Sequence, residues 1–220
     1  MSARSEFDHE LENLHLDLIR LGGLIEEAID HAITALEKRD HALAQTVIQN
    51  DRQIDDLDRA IEARCLSLLL RQQPVASDLR AISTALKMVT DMERIGDQAA
   101  DIADISLRFG DAPFIKTLEH IPLMARIASS MVKESIDAFV KSDVKASHAI
   151  IQRDDEVDSL FETVKQELIG VLTRTPDSAD QAVDFLMIAK YLERIGDHAV
   201  NICGWVIFFV TGERKDTKIL

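Results

Sequence analysis

Hydrophobic residues recur every three to four positions along most of the chain, in long stretches that proline and glycine seldom interrupt. This spacing is typical of amphipathic helices that each bury one apolar side. The pattern predicts six long helices, delimited as follows: about residues 6–38; from the N-cap Asp40 to near Gln73; from Pro74 and Ser77 to near Phe109; a fourth with Pro122 in its first turn; a fifth after the N-cap Asp143; and a sixth, after TRTPDS, to near Gly212. The predicted fold is all-α.

The chain also repeats itself. Three aspartates of the first half recur 103 residues later, and two acidic residues recur 100 residues later: Asp40/Asp143, Asp51/Asp154, Asp55/Asp158, then Glu93/Glu193 and Asp97/Asp197. The offset changes between the second and third helices of each copy, in a loop, where changes of length are tolerated. The repeat predicts two tandem three-helix bundles, over residues 1–110 and 111–220.

Charge narrows the possible partners. The chain has 25 Lys and Arg against 39 Asp and Glu, a net charge of −14. This balance repels phosphate backbones, so we expect no nucleic acid partner, and cations or basic protein surfaces suit it better. Cys65 and Cys203 are not in a CxxC motif and are expected to be small core residues in a reducing compartment. No apolar signal segment or membrane span is evident, which predicts a cytoplasmic protein without direct membrane insertion.

Pairs of carboxylates four residues apart are the candidate functional feature. They are Asp51/Asp55 and Asp154/Asp158 on the second helices and Glu93/Asp97 and Glu193/Asp197 on the third, with Glu62, Asp101 and Asn201 extending the rows. Residues four apart share a helix face, and these pairs flank the apolar stripes. We therefore expect two acidic helix edges to border one outer groove in each repeat. Their mutual repulsion would be relieved by a cation, and oxygen ligands suit Mg²⁺, Mn²⁺, iron or Ca²⁺.

Other interpretations remain open. The rows could be solvated faces of a plain helical scaffold without metal. Glu6-x-x-His9 and Glu12-x-x-His15 mimic the helix motif of a ferritin-like di-metal enzyme, but no other helix supplies a matching motif. No glycine-rich phosphate loop or grouped nucleophile and base indicates catalysis.

Four further residues or segments lead to expectations. Gly96 and Gly196 lie inside predicted helices, where glycine is unfavourable, and predict a close approach of two helices. His198 is expected to be a surface histidine. The segment GWVIFFV, residues 204–210, holds more apolar surface than one stripe needs and suggests either a dimer contact or a cap on the core of the second bundle.

The segments RQQPVASDLRAIS, MERIGDQAADIA and LERIGDHAVNI resemble the PhoU family of phosphate-signalling regulators, in order and in both repeats. The resemblance covers about residues 7–212 and implies two three-helix bundles related by a pseudo-twofold axis. It also implies metal binding, commonly iron, zinc, manganese or magnesium, through E(D)xxxD motifs. The motifs map onto Asp51, Asp55, Glu93, Asp97, Asp154, Asp158, Glu193 and Asp197. Where the family often continues NIAE, this chain has Gly204, so one ligand of the second site is missing.

The same resemblance implies a function that spacing could not reveal. Proteins of this family are not enzymes but negative regulators of the phosphate-starvation response and of phosphate uptake. They link the ATPase subunit of the phosphate ABC transporter to a membrane sensor histidine kinase. They tend to form homodimers and work at the inner face of the membrane through these partners.

Overall fold

The computed structural model describes residues 3–72, 74, 76–110, 113–115, 119–214 and 217–218. Within these ranges it contains six long α-helices: α1 (Ala3–Lys38), α2 (His41–Gln72), α3 (Ala76–Arg108), α4 (His120–Lys141), α5 (Val144–Arg174) and α6 (Ala179–Thr211). A 3₁₀ turn, Pro176–Ser178, precedes α6, and two short antiparallel strands, β1 (Glu213–Arg214) and β2 (Thr217–Lys218), follow it. The all-α prediction is confirmed. The predicted end of the second helix near Gln73 lies outside the described residues.

The two predicted N-caps occupy equivalent places. The backbone N–H of Leu43 donates to Asp40 Oδ1 at 2.9 Å, and that of Ala146 donates to Asp143 Oδ1 at 2.9 Å. Each bond satisfies one of the backbone donors that the first turn of a helix leaves unpaired. At the other end of the second repeat, Gly212 ends α6 with a left-handed φ of 76°, which a glycine adopts without strain.

Each repeat packs its three helices together, and the two repeats then join along α3 and α6. Helix α1 also packs against α4, where His15 meets the ring of Phe139 edge-on at 5.1 Å. The buried core therefore runs without a break from one repeat to the other. Cys65 and Cys203 are free thiols in this core, as predicted, and burial raises the pKa of each to about 12. Among the described residues, no helix combines the length and apolar character that crossing a bilayer requires.

Contacts across the α3–α6 interface reveal the pseudo-twofold axis. Asp91 on α3 accepts a hydrogen bond from Asn201 on α6 at 3.2 Å. Tyr191 of α6, one hundred residues on from Asp91, lies beside Asp101 of α3, and burial and then the charge of Asp101 raise the pKa of Tyr191. Asp101 in turn lies one hundred residues before Asn201. The two contacts thus join the same two repeat positions, with the roles of the repeats interchanged, as a twofold relation requires. The division of the chain at residue 110 stays a prediction.

Candidate metal centre

Two glycines bring the helices of each repeat close together beside the acidic residues. A Cβ on Gly96 of α3 would lie 2.9 Å from Ile54 Cγ2 on α2 and 3.6 Å from Asp51 Oδ1. In the second repeat, a Cβ on Gly196 would lie 3.1 Å from Asp154 Oδ1 and 3.7 Å from Val157. The predicted close approach is confirmed, and in both repeats it places an aspartate oxygen against the glycine.

Three carboxylates converge in the first repeat. One oxygen each from Asp51 and Asp55 of α2 and Asp97 of α3 all lie within 4.8 Å of one another. Asp51 Oδ1 is buried and accepts no hydrogen bond from any described residue. Burial, followed by the charges of Asp97, Asp55 and Asp101, raises the pKa of Asp51 to about 6. Such a group of repelling oxygens, one of them unsatisfied, has the donor chemistry and spacing that a hard cation needs.

Glu93 and Asp58 border this acidic triad. Glu93 lies outside the triad and pairs with Arg94, whose Nε is 3.3 Å from Glu93 Oε2, while Arg94 also contacts Asp97 at 3.0 Å. Burial and then Asp97 raise the pKa of Glu93. Asp58 was not predicted as a site residue, but burial, then Glu62 and Asp55, raises its pKa to about 6. Its position three residues after Asp55, on the same helix face, was the available signal.

The second groove has the equivalent residues in a looser arrangement. Burial, and then the charges of Asp197, Asp158 and Glu193, raise the pKa of Asp154 to about 6. These four carboxylates are therefore close enough to interact electrostatically. In the described part of the chain, however, three metal-ligating groups come within 4.8 Å of one another only in the first repeat. In the second, Lys190 Nζ lies 2.6 Å from both oxygens of Glu193.

His198 is not the surface histidine that was expected. Its Nδ1 lies 2.9 Å from Asp91 Oδ1, and the two side chains are only 17% and 15% exposed. Because Asn201 donates to the same aspartate oxygen, His198 belongs to a polar contact between the two repeats. No local pattern indicates this contact, since the partners are more than a hundred residues apart.

The aromatic residues of GWVIFFV cap the core of the second repeat. Phe208 is 3% exposed, and Phe209 packs on Phe139 with ring centroids 5.7 Å apart. Trp205 is covered by the Arg214 guanidinium, whose carbon lies 3.2 Å from the ring centroid. These contacts agree with the core-cap interpretation, while Val210 stays 42% exposed and the homodimer stays a prediction.

Together these features define a class: an all-helical protein of two tandem repeats, each with a groove bordered by acidic residues between its second and third helices. The chain belongs to the PhoU family, because the model of the PhoU domain matches residues 18–106 and again residues 121–206. The two matches fall one on each repeat.

Relatives and solved structures agree with this assignment over nearly the whole chain. A phosphate-specific transport system accessory protein PhoU homolog of Clostridium acetobutylicum is 39% identical, over 97% of this chain and 98% of its own length. A homolog of the same name from Pseudomonas putida is 37% identical, over 94% and 81%. The crystal structure of PhoU from Pseudomonas aeruginosa matches with a TM-score of 0.91 at 35% identity, over 94% of this chain and 100% of that one. The phosphate transport system regulatory protein PhoU from Streptococcus pneumoniae matches with a TM-score of 0.89 at 30% identity, over 96% and 100%.

Proposed function

We propose that this protein is a negative regulator of phosphate uptake and of the phosphate-starvation response, acting as an accessory to a phosphate ABC transporter. The observation that supports this most is the match, over nearly the whole chain, to relatives named as phosphate-specific transport system accessory proteins. A match restricted to the fold would not support it, because one fold serves many functions. The proposal requires no catalytic step by the chain itself.

The partners in this proposal are the ATPase subunit of the transporter and a sensor histidine kinase. The protein would then work at the cytoplasmic face of the inner membrane, held there by its partners, and as a homodimer. A strongly acidic surface suits docking to basic regions of such partners.

The regulator would hold metal ions, iron, Mn²⁺, Mg²⁺ or Zn²⁺, in its acidic grooves. In the first groove Asp51, Asp55 and Asp97 would provide the ligands, with Glu93 at the border. In the second, Asp154, Asp158, Glu193 and Asp197 would do so. A bound cation would neutralise the repelling carboxylates and tie the second helix of a repeat to the third. The absence of a thiolate from the groove favours Mg²⁺, Mn²⁺ or iron over structural zinc.

A deletion strain tests the regulatory role. It is assayed for a phosphate-repressed phosphatase in medium with high phosphate, where a negative regulator keeps that enzyme low. Deletion should raise the phosphatase, and the intact gene in trans should restore repression. Unchanged phosphatase in the deletion strain would contradict the proposal and favour a plain scaffold.

Metal analysis tests the site. The protein is chelated and reloaded, and its metal content is measured beside that of Glu93→Gln/Asp97→Asn. The matched control is Asp177→Asn/Asp180→Asn, which removes one charge from the 3₁₀ turn and one from the first turn of α6. The groove variant should lose the metal of the first repeat and keep its fold, as judged by its melting curve, while the control keeps both metal and fold. Unchanged metal in the groove variant would contradict the assignment. Loss of the fold would instead indicate that Glu93 and Asp97 are structural.

A further inference from the structure

The two grooves differ at several positions that the repeat makes equivalent, Asp101 and Asn201 among them, and three of these positions place a ring or a cation in the second groove. In the first groove they are Asp58, Glu62 and Thr90; in the second, at the same offsets of 103 and 100, they are Phe161, Lys165 and Lys190. Two carboxylates of the first groove are thus replaced by a phenyl ring and a cation, and a hydroxyl by a second cation. The E(D)xxxD motifs alone would not reveal this difference.

Lys190 lies at the edge of the second groove, with its side chain 44% exposed and its ammonium group on Glu193. Its ammonium group lies 2.6 Å from both Glu193 oxygens and 5.4 Å from the centroid of the Phe161 ring on the opposite helix. Glu193 is only 14% exposed, so the ion pair is shielded from water on the side of the carboxylate. In the first repeat, Thr90 bonds to the carbonyl oxygen of Leu86, four residues earlier on its own helix, and supplies no charge.

We infer that Lys190 is a built-in competitor for metal ions, so that the two grooves bind cations with unequal affinity. In the first groove, the cations that touch the acids are Arg94, on Glu93 and Asp97, and Arg59, 3.9 Å from Asp55, and their side chains are 55% and 62% exposed. The oxygens of Asp51, Asp55 and Asp97 already converge there, within reach of one divalent cation. The second groove takes a divalent cation only when the Lys190 ammonium leaves Glu193, or else it holds that cation beside the positive charge of Lys190. This inference rests on the proposed metal site and adds an order of filling: the first groove loads first, and the second only at higher metal concentration.

The test is calorimetric titration of the chelated full-length protein with Mn²⁺ alone. Asp97→Asn serves as background, because it removes a ligand of the first groove and leaves the second to be measured by itself. In this background, Lys190→Thr should tighten Mn²⁺ binding by on the order of tenfold. A unit positive charge about 5 Å from a divalent ion weakens its binding by at least about tenfold, even in a water-like dielectric. Lys141→Thr is the matched control, an equal charge change on the exposed end of α4.

The reciprocal change tests the same idea in the first groove. Thr90→Lys in the otherwise native chain should weaken Mn²⁺ binding there by a similar factor. Equal affinities for Lys190→Thr and Lys141→Thr would overturn the inference, and Lys190→Gln decides the matter if Lys190→Thr does not fold. If the proposed metal site itself were wrong, the result would differ: the native chain and Asp97→Asn would then give the same Mn²⁺ titration.

Discussion

Replacement of Gly96 by alanine tests whether close helix packing is the reason for a glycine in the middle of α3. Alanine is favoured over glycine in a helix interior by about 1 kcal/mol. Against this, the new Cβ would lie 2.9 Å from Ile54 Cγ2 and 3.0 Å from its Cδ1. Ile54 is buried and branched at Cβ, so its methyl groups cannot turn away freely. Overpacking of a buried site costs about 1–3 kcal/mol. We expect Gly96→Ala to lower the free energy of unfolding by about 1 kcal/mol.

The matched control is Gly23→Ala, an exposed position on α1 where a Cβ would meet no atom within 4 Å. That variant should gain up to about 1 kcal/mol from helix propensity alone. Both are measured by urea unfolding followed by circular dichroism, in chelator, with the shift of midpoint converted through the slope m. If Gly96→Ala stabilised the protein as much as Gly23→Ala does, the steric explanation would be refuted.

A second variant identifies the neighbour responsible. In the second repeat, Val157 fills the place of Ile54, and a Cβ on Gly196 would lie 3.7 Å from it. Ile54→Val should therefore partly rescue Gly96→Ala, although alone it costs about 0.5–1.5 kcal/mol. Valine keeps Cγ2 and removes only Cδ1, the second of the two close methyl groups. A double-mutant cycle should give a favourable coupling of up to about 1 kcal/mol, and additive effects would mean that Cδ1 takes no part in the clash.

Three further predictions concern charge and hydrogen bonds. Without metal, the raised pKa of Asp51 means that the folded state binds its proton more tightly than the unfolded state. The stability that this proton contributes is present below about pH 4 and is lost as the pH rises through about 6. In Asp51→Asn, the free energy of unfolding, measured in urea at several pH values, should therefore change less across this window, by about 1 kcal/mol after allowance for the partial exposure of Asp51. Asp91→Ala leaves His198 and Asn201 without their shared acceptor and should destabilise the protein by about 1–3 kcal/mol, whereas Asp91→Asn, which keeps an oxygen, should cost less in the same urea assay. Asp143→Ala removes an N-cap and should lower the unfolding free energy by about 1 kcal/mol, measured by thermal melts; no change would mean that water replaces the bond to Ala146.

Local features of the sequence determined the helices and their repeat. The apolar period sets which side of each helix is buried, and the caps Asp40 and Asp143 set where α2 and α5 begin, because both act through residues within one or two turns. The i, i+4 carboxylate pairs followed from the same local geometry. That α2 and α3 turn their acidic edges to one groove was also predictable, since two antiparallel helices with buried stripes leave few other orientations.

Only the tertiary structure decided which oxygens meet and which cations reach them. Asp97 comes close to Asp51 and Asp55 because Gly96 lets α3 approach α2, and no spacing along the chain fixes that distance. His198 faces Asp91 across the two repeats, and the aromatic residues after Gly204 turn inward onto a core that the other helices build. These contacts join residues far apart in the chain, so their geometry depends on how whole helices pack, which the pattern of hydrophobic and polar residues does not specify.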